Sequence, residues 1–234
     1  PPISPPAILA FFQHLLSIST TEIGSEFGLF SHYITTNYDF TIETILDNIN
    51  VQEGPMINRI YRGISPEVIC SKLSWDHPGN TFQHNLIKLN GGFEILGVKD
   101  RYHFEYRHRD VADVQASPPI LILPSRKQDY TDPYFRAIFS KAVRVLSETR
   151  VLIIVGYSMP REDALILFIL RQLAESVEDT HGKYIFCIDL KAPDILDRRI
   201  NWVFNSVQKN GWPKVFHYTG RFEDFCKEIA DKRA

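Results

Sequence analysis

Five consecutive apolar residues, Val151–Val155, stop abruptly at Gly156. A run so short and so uniformly apolar reads as a strand buried on both faces, which is the environment of a parallel sheet covered by helices. The rest of the chain repeats the theme. Ile8, Leu9, Phe11, Phe12, Leu15 and Leu16 fall on helical spacing and predict a helix over residues 7–17. A short strand over 32–36 breaks into Asn37-Tyr38-Asp39, and helical spacing resumes over 41–48. Another strand, Leu86–Leu89, stops at Asn90-Gly91-Gly92, and a third, Ile120–Leu123, ends at Pro124.

A long helix over 133–149 carries the stripe Phe135, Ile138, Phe139, Ala142 and Leu146, and leads into the Val151–Val155 strand. The next helix, over 162–175, is apolar on nearly every side, as an element sandwiched between others would be. Strands over 184–188, ending at Asp189, and over 215–218 precede a C-terminal helix over 222–230. Apolar strands alternating with helices predict an α/β fold, a doubly wound parallel sheet with helices on both faces.

Two stretches interrupt the alternation. Residues 50–85 hold Gly54-Pro55, Pro66, Trp75 and Pro78-Gly79 and read as an irregular excursion. Residues 93–117 read as a hairpin or small β insert, because Tyr102, Phe104 and Tyr106 alternate with Arg101, His103, Glu105 and Arg107. With 234 residues, the chain suits one domain carrying both inserts.

Charge and composition exclude several classes. The 26 Lys and Arg nearly balance 28 Asp and Glu, so no global positive field invites nucleic acid. The basic-aromatic alternation over 100–110 is itself neutral, since three arginines meet three acids, and reads as a half-buried strand with a solvated face. No apolar stretch approaches the roughly 20 residues that span a bilayer. The opening PPISPP lacks the layout of a signal peptide. Cys70, Cys187 and Cys226 are odd in number and widely spaced, which fits reduced thiols in a cytoplasmic protein better than a disulfide scaffold or a zinc module. His77 with His84, and His103 with His108, match no metal-binding spacing, so no metal is expected. Neither a GxSxG elbow, a P-loop nor a GxGxxG loop occurs.

In doubly wound folds the ligand site lies beyond the carboxyl ends of the strands. That rule selects Thr35-Thr36-Asn37-Tyr38-Asp39, Asn90-Gly91-Gly92, Gly156-Tyr157-Ser158 and Asp189, which one crevice could collect. An Asn amide with an Asp carboxylate two residues on can hold sugar hydroxyls or aim a water at an electrophilic carbon. The same pair serves equally well as turn and helix-capping chemistry. Gly156 permits close approach of a ligand and Ser158 can donate to a phosphate or ribose, or the segment is a plain strand-to-helix turn ahead of Glu162 and Asp163. Asp189 stands where nucleotide folds place an acid on the adenosine ribose, a position that also suits a helix cap.

Taken together, ITTNYDFTIE (34–43), LIKLNGG (86–92), ILILPS (120–125), DPYFRAIF (132–139) and LIIVGYSMPREDALI (152–166) resemble the sirtuin-like family. More narrowly they resemble its bacterial branch of silent-information-regulator-like domains found in antiviral defence. The resemblance implies a Rossmann-like fold that binds NAD and cleaves the nicotinamide–ribose bond, as a hydrolase in the defence branch. It implies Asn37 as the catalytic asparagine, Asp39 as support for the nicotinamide side, and Asn90 at the catalytic-histidine position. Thr36, Gly91, Gly156, Tyr157, Ser158, Asp163 and Asp189 would contact NAD. Partners implied are NAD or ADP-ribose, and a homo-oligomer or a fused sensor domain.

Two departures accompany the resemblance. The family's histidine is here Asn90, an amide without usable titration, where loss of an essential base costs about 10²–10⁴-fold. The family also opens with a strand and a Gly-Ala-Gly-x-Ser loop that cradles the pyrophosphate, which the sequence beginning at Pro1 lacks. Either the sequence is a piece of a longer protein or diphosphate binding has decayed. The missing cysteine pairs argue against the zinc-bearing deacylase branch. The alternative reading is a non-catalytic nucleotide-binding or scaffold module of a larger complex.

Overall fold

The computed structural model describes residues 5–20, 31–49, 85–98, 101–106, 109–123, 129–175, 182–191, 193–204 and 213–232. The excursion read over 50–85 therefore lies, but for Asn85, outside the described residues, as do Cys70, His77, His84, His108 and Pro124. The chain forms two compact units, Leu15–Lys141 and Pro2–His14 with Ala142–Ala234.

In the first unit, β1 (His32–Thr35) and β2 (Asn85–Lys88) pair in parallel, His32 opposite Asn85 and Thr35 opposite Lys88. The backbone turns at Leu89-Asn90 into β3 (Gly91–Val98), which pairs antiparallel with β4 (Arg101–Phe104) and with β5 (Pro119–Leu121). Gly91 makes that turn possible. Its φ is +78°, and a Cβ there would sit 2.0 Å from the Ile120 carbonyl oxygen. No other residue fits.

Two helices complete the unit, α2 (Thr41–Asp47) and α3 (Val111–Ala116), while α1 (Pro6–Thr20) and α4 (Pro133–Glu148) each contribute part of their length. Leu46, Ile87 and Ile138 are fully buried, with Leu86, Leu89, Ile95 and Ile122 nearly so. At about 25 cal/mol per Å² of apolar surface removed from water, these side chains supply most of what holds the unit together.

Three expectations change here. Of the Ile120–Leu123 stretch only Ile120 and Leu121 lie in a strand, and that strand runs antiparallel beside β3 rather than joining a parallel sheet. Asn90 lies in the tight turn that follows β2, where the strand was expected to stop, but Gly91-Gly92 already open β3 instead of extending a loop. Within the 93–117 insert, the hairpin is present as β3 and β4, and residues 111–116 form a helix the alternation does not foretell. That helix rests on a capping box: the Asp110 side chain accepts from the Asp113 N–H at 2.9 Å and the Asp113 side chain accepts from the Asp110 N–H.

The second unit is built on a wholly parallel sheet, β6 (Val151–Val155), β7 (Tyr184–Asp189) and β8 (Lys214–Thr219), in that order. The helices α5 (Ala164–Glu175) and α6 (Pro193–Phe204) make the crossovers, and α7 (Phe222–Asp231) follows β8. Alternate side chains of a strand point to opposite faces, so contacts assign the faces. Cys187 and its cross-strand neighbour His217 lie on the face of α6, where His217 Nε2 meets Asp197 Oδ1 at 2.6 Å. On the other face Phe186 stacks on Phe216 at 5.0 Å, and Tyr218 meets Phe225 of α7 at 5.3 Å. Phe225 and Phe222 also pack on Phe11 of α1, at 6.1 and 5.6 Å. Helices thus cover both faces: the unit is doubly wound α/β.

The β6 strand is less buried than its composition suggests. Ile154 is buried, but Val151 and Val155 are about half exposed, because β6 pairs on one side only among the described strands. The α5 helix buries Ile166, Leu167, Ile169, Leu170, Leu173 and Ala174, and turns Phe168 outward. The α6 helix was not expected between Asp189 and Val215. Its signals are Pro193 at the first position and Asp194 behind it, with Ile200, Val203 and Phe204 inward. Lys183, buried just ahead of β7, donates from Nζ to the Ser147 carbonyl of α4 at 2.8 Å and the Leu173 carbonyl of α5 at 2.9 Å. Among the described residues no helix is long and apolar enough to cross a membrane.

Candidate functional site

In the first unit the ends of the parallel pair β1 and β2 bring together Thr36, Asn37, Asp39, Asn90 and Gly91. Asn90 Nδ2 donates to the Thr36 carbonyl at 3.1 Å, which ties the turn after β2 to the turn after β1. The Asn37 N–H donates to Thr35 Oγ1 at 3.0 Å, and Asn37 itself is exposed. Tyr38 donates its hydroxyl to the Ile122 carbonyl. Asp39 Oδ1 accepts the Thr41 N–H at 3.0 Å at the start of α2, so its carboxylate is engaged in turn chemistry while remaining exposed.

Asn90 Oδ1 is buried and has no hydrogen-bond partner among the described residues. Leaving an amide carbonyl so costs about 1–3 kcal/mol. Asn90 can accept a hydrogen bond there, but an amide cannot take up a proton near neutral pH.

A charge cluster that sequence reasoning missed adjoins this segment. Lys88, 3% exposed at its side chain, lies 2.7 Å from Glu43 Oε1 and 3.0 Å from Glu94 Oε1, and donates to the Asp39 carbonyl at 2.7 Å. Burial holds the Glu94 carboxyl above its ordinary range, against the opposing pull of Lys88. The available signal was a lysine within the otherwise apolar LIKL run, since a lysine is buried only where carboxylates or other acceptors meet its ammonium.

In the second unit Gly156 and Asp189 lie at the carboxyl ends of neighbouring strands, joined by the Gly156 N–H donating to the Ile188 carbonyl at 3.0 Å. Gly156 has φ +63°, and among the described residues, its own chain neighbours aside, no heavy atom lies within 4 Å of where its Cβ would be. The backbone there is open to close approach. Asp189 Oδ1 accepts the Lys191 N–H at 2.9 Å, and its carbonyl accepts the Gly220 N–H at 3.0 Å.

Tyr157 donates its hydroxyl to Asp163 Oδ2 at 2.8 Å, so the Asp163 side chain braces the loop rather than standing free ahead of α5. Arg199 of α6, which sequence reasoning did not single out, donates to the Ser158 carbonyl. Met159 adopts φ +50° while almost fully buried, a left-handed conformation uncommon outside glycine that this packing enforces. Burial pushes the Cys187 thiol up to about 12 and the Cys226 thiol up to about 11, so neither is a nucleophile near neutral pH.

No curated protein matches the chain. Among solved structures it is similar to a crystal structure of Sir2 in complex with the inhibitor EX-527, 2'-O-acetyl-ADP-ribose and deacetylated p53 peptide, at 12% identity and a TM-score of 0.46, over 98% of this chain and 72% of that one. The SIR2-like domain family matches residues 31–203, well over half of the sequence. The chain belongs to the SIR2-like domain family.

Proposed function

We infer that this SIR2-like domain binds NAD and hydrolyses its nicotinamide–ribose bond, as an effector of antiviral defence. The observation that carries the reading is the pairing of an exposed Asn37 with Asn90, whose buried Oδ1 lacks a donor while its Nδ2 grips the same turn. The bond between the ribose anomeric carbon and the pyridinium nitrogen breaks, and neutral nicotinamide leaves with the bonding pair. Asn37 orients water against the oxocarbenium-like ribose, Asn90 Oδ1 accepts from a ribose hydroxyl, and water adds at the anomeric carbon with loss of one proton to solvent. Asp39 supports the nicotinamide side. Thr36 and Gly91 shape the same turn, while Gly156, Tyr157, Ser158, Asp163 and Asp189 contribute to NAD binding, Asp189 at the adenosine ribose. On this reading the chain works in the cytoplasm, as a homo-oligomer or beside a fused sensor domain.

Asn90 itself favours a second reading, a nucleotide-binding module without catalysis, because the position lacks a titratable base. Nicotinamide release measured for the wild type and for Asn90→His decides between them. The expected outcome is release raised by about 10²–10⁴-fold in Asn90→His, with a new dependence on pH around neutrality. Binding of NAD by calorimetry with no release from either protein supports the module; absence of binding to either NAD or ADP-ribose ends both readings.

A further inference from the structure

Lys88 takes no part in the chemistry above, yet its ammonium is buried beside the segment that does. An ammonium has three N–H donors. Three acceptors surround this one: Glu43 Oε1 from α2, Glu94 Oε1 from β3, and the Asp39 carbonyl from the turn after β1. The ring of Phe40, next along the turn, lies 5.0 Å from Nζ at its centroid.

Two carboxylates already exceed the charge of one lysine, so neutralisation alone does not call for the third contact. Burying three charged groups is costly where an apolar trio would fill the same space. What the charged arrangement adds is direction. Tetrahedral donors held by two fixed carboxylates leave the third N–H aimed at one carbonyl, that of Asp39. The same turn carries the Thr36 carbonyl that receives Asn90.

We propose that Lys88 is a positioning residue: by holding the Asp39 carbonyl it fixes the Thr36–Asp39 turn and with it the Asn37 amide and the grip on Asn90. The inference rests on the reading that this turn meets NAD.

The informative variant combines Lys88→Met with Glu43→Gln and Glu94→Gln, which removes the ammonium without stranding a buried carboxylate. Two measurements apply: hydrogen exchange of the peptide covering residues 36–40, and ADP-ribose binding by calorimetry. We expect exchange about tenfold faster and affinity about tenfold weaker in the triple variant. Glu94→Gln alone keeps the ammonium and an oxygen acceptor at position 94, so the Lys88 contact to Asp39 persists and neither measurement should change. Wild-type exchange in the folded triple variant, or faster exchange with unaltered affinity, overturns the proposal. Should the triple variant not fold, the wild-type side-chain ammonium signal of Lys88 decides by nuclear magnetic resonance. A protected signal with contacts to Asp39 and Phe40 supports the proposal, and a freely exchanging one overturns it. If wild type binds no ADP-ribose, the NAD reading fails, and the exchange rates alone judge the positioning role.

Discussion

Gly91 and Gly156, both candidate-site glycines, have positive φ, and they are constrained for different reasons. At Gly91 an added methyl would meet the Ile120 carbonyl oxygen at 2.0 Å on top of the left-handed backbone. Gly91→Ala should therefore cost about 3 kcal/mol in urea unfolding, the sum of backbone strain and overpacking. At Gly156 there is open space, so Gly156→Ala should cost only about 1 kcal/mol of stability, through φ alone. The two glycines read alike in the sequence, as residues following an apolar run. Their difference arises from β5, whose approach to Gly91 is a long-range pairing that no local pattern encodes. Asp39 teaches the converse. Its capping role was legible, and its bond to the Thr41 N–H shows that role in use while leaving the residue exposed.

Elements with a strong period were legible in the sequence, and elements defined by their ends were not. The helices over 6–20, 133–148 and 222–231, and the strands β6, β7 and β8, follow from apolar spacing to within a few residues. The α3 helix escaped because VADVQA buries none of its residues and so has no stripe to read; its signal is the Asp110 and Asp113 pair at its start. Asp110→Ala removes that cap and should lower stability by about 1 kcal/mol, measured as a shift in thermal midpoint with β3 and β4 retained. The direction of β5 was equally beyond reach, since whether an apolar strand pairs parallel or antiparallel depends on its partner rather than its own residues.

Over the whole molecule, near-balance of charge conceals an imbalance where it matters. Glu43, Lys88 and Glu94 put two acids and one base out of water, and at Glu94 the cost of burying the charge outweighs the lysine's pull. A carboxyl whose folded pKa is raised adds stability below its unfolded value, near 4.5, and that stability is lost as pH climbs through the raised folded value. Urea midpoints should therefore decline across that interval in the wild type, and Glu94→Gln should flatten the decline. A wild-type profile that rises over the same interval as steeply as the variant's would show that Glu94 is not held as described. The family membership was legible from five short segments in order, whereas this cluster was not, because its three members come from α2, β2 and β3 and meet only on folding.

Lys183 donates from its buried ammonium to two backbone oxygens near the ends of α4 and α5. Such a clasp is an amine out of reach of acylating reagents while the fold is closed, and one acetyl group would silence it at both helix ends simultaneously. Modification at that single position therefore reports a molecule that has already sprung open, and it would hold the molecule that way.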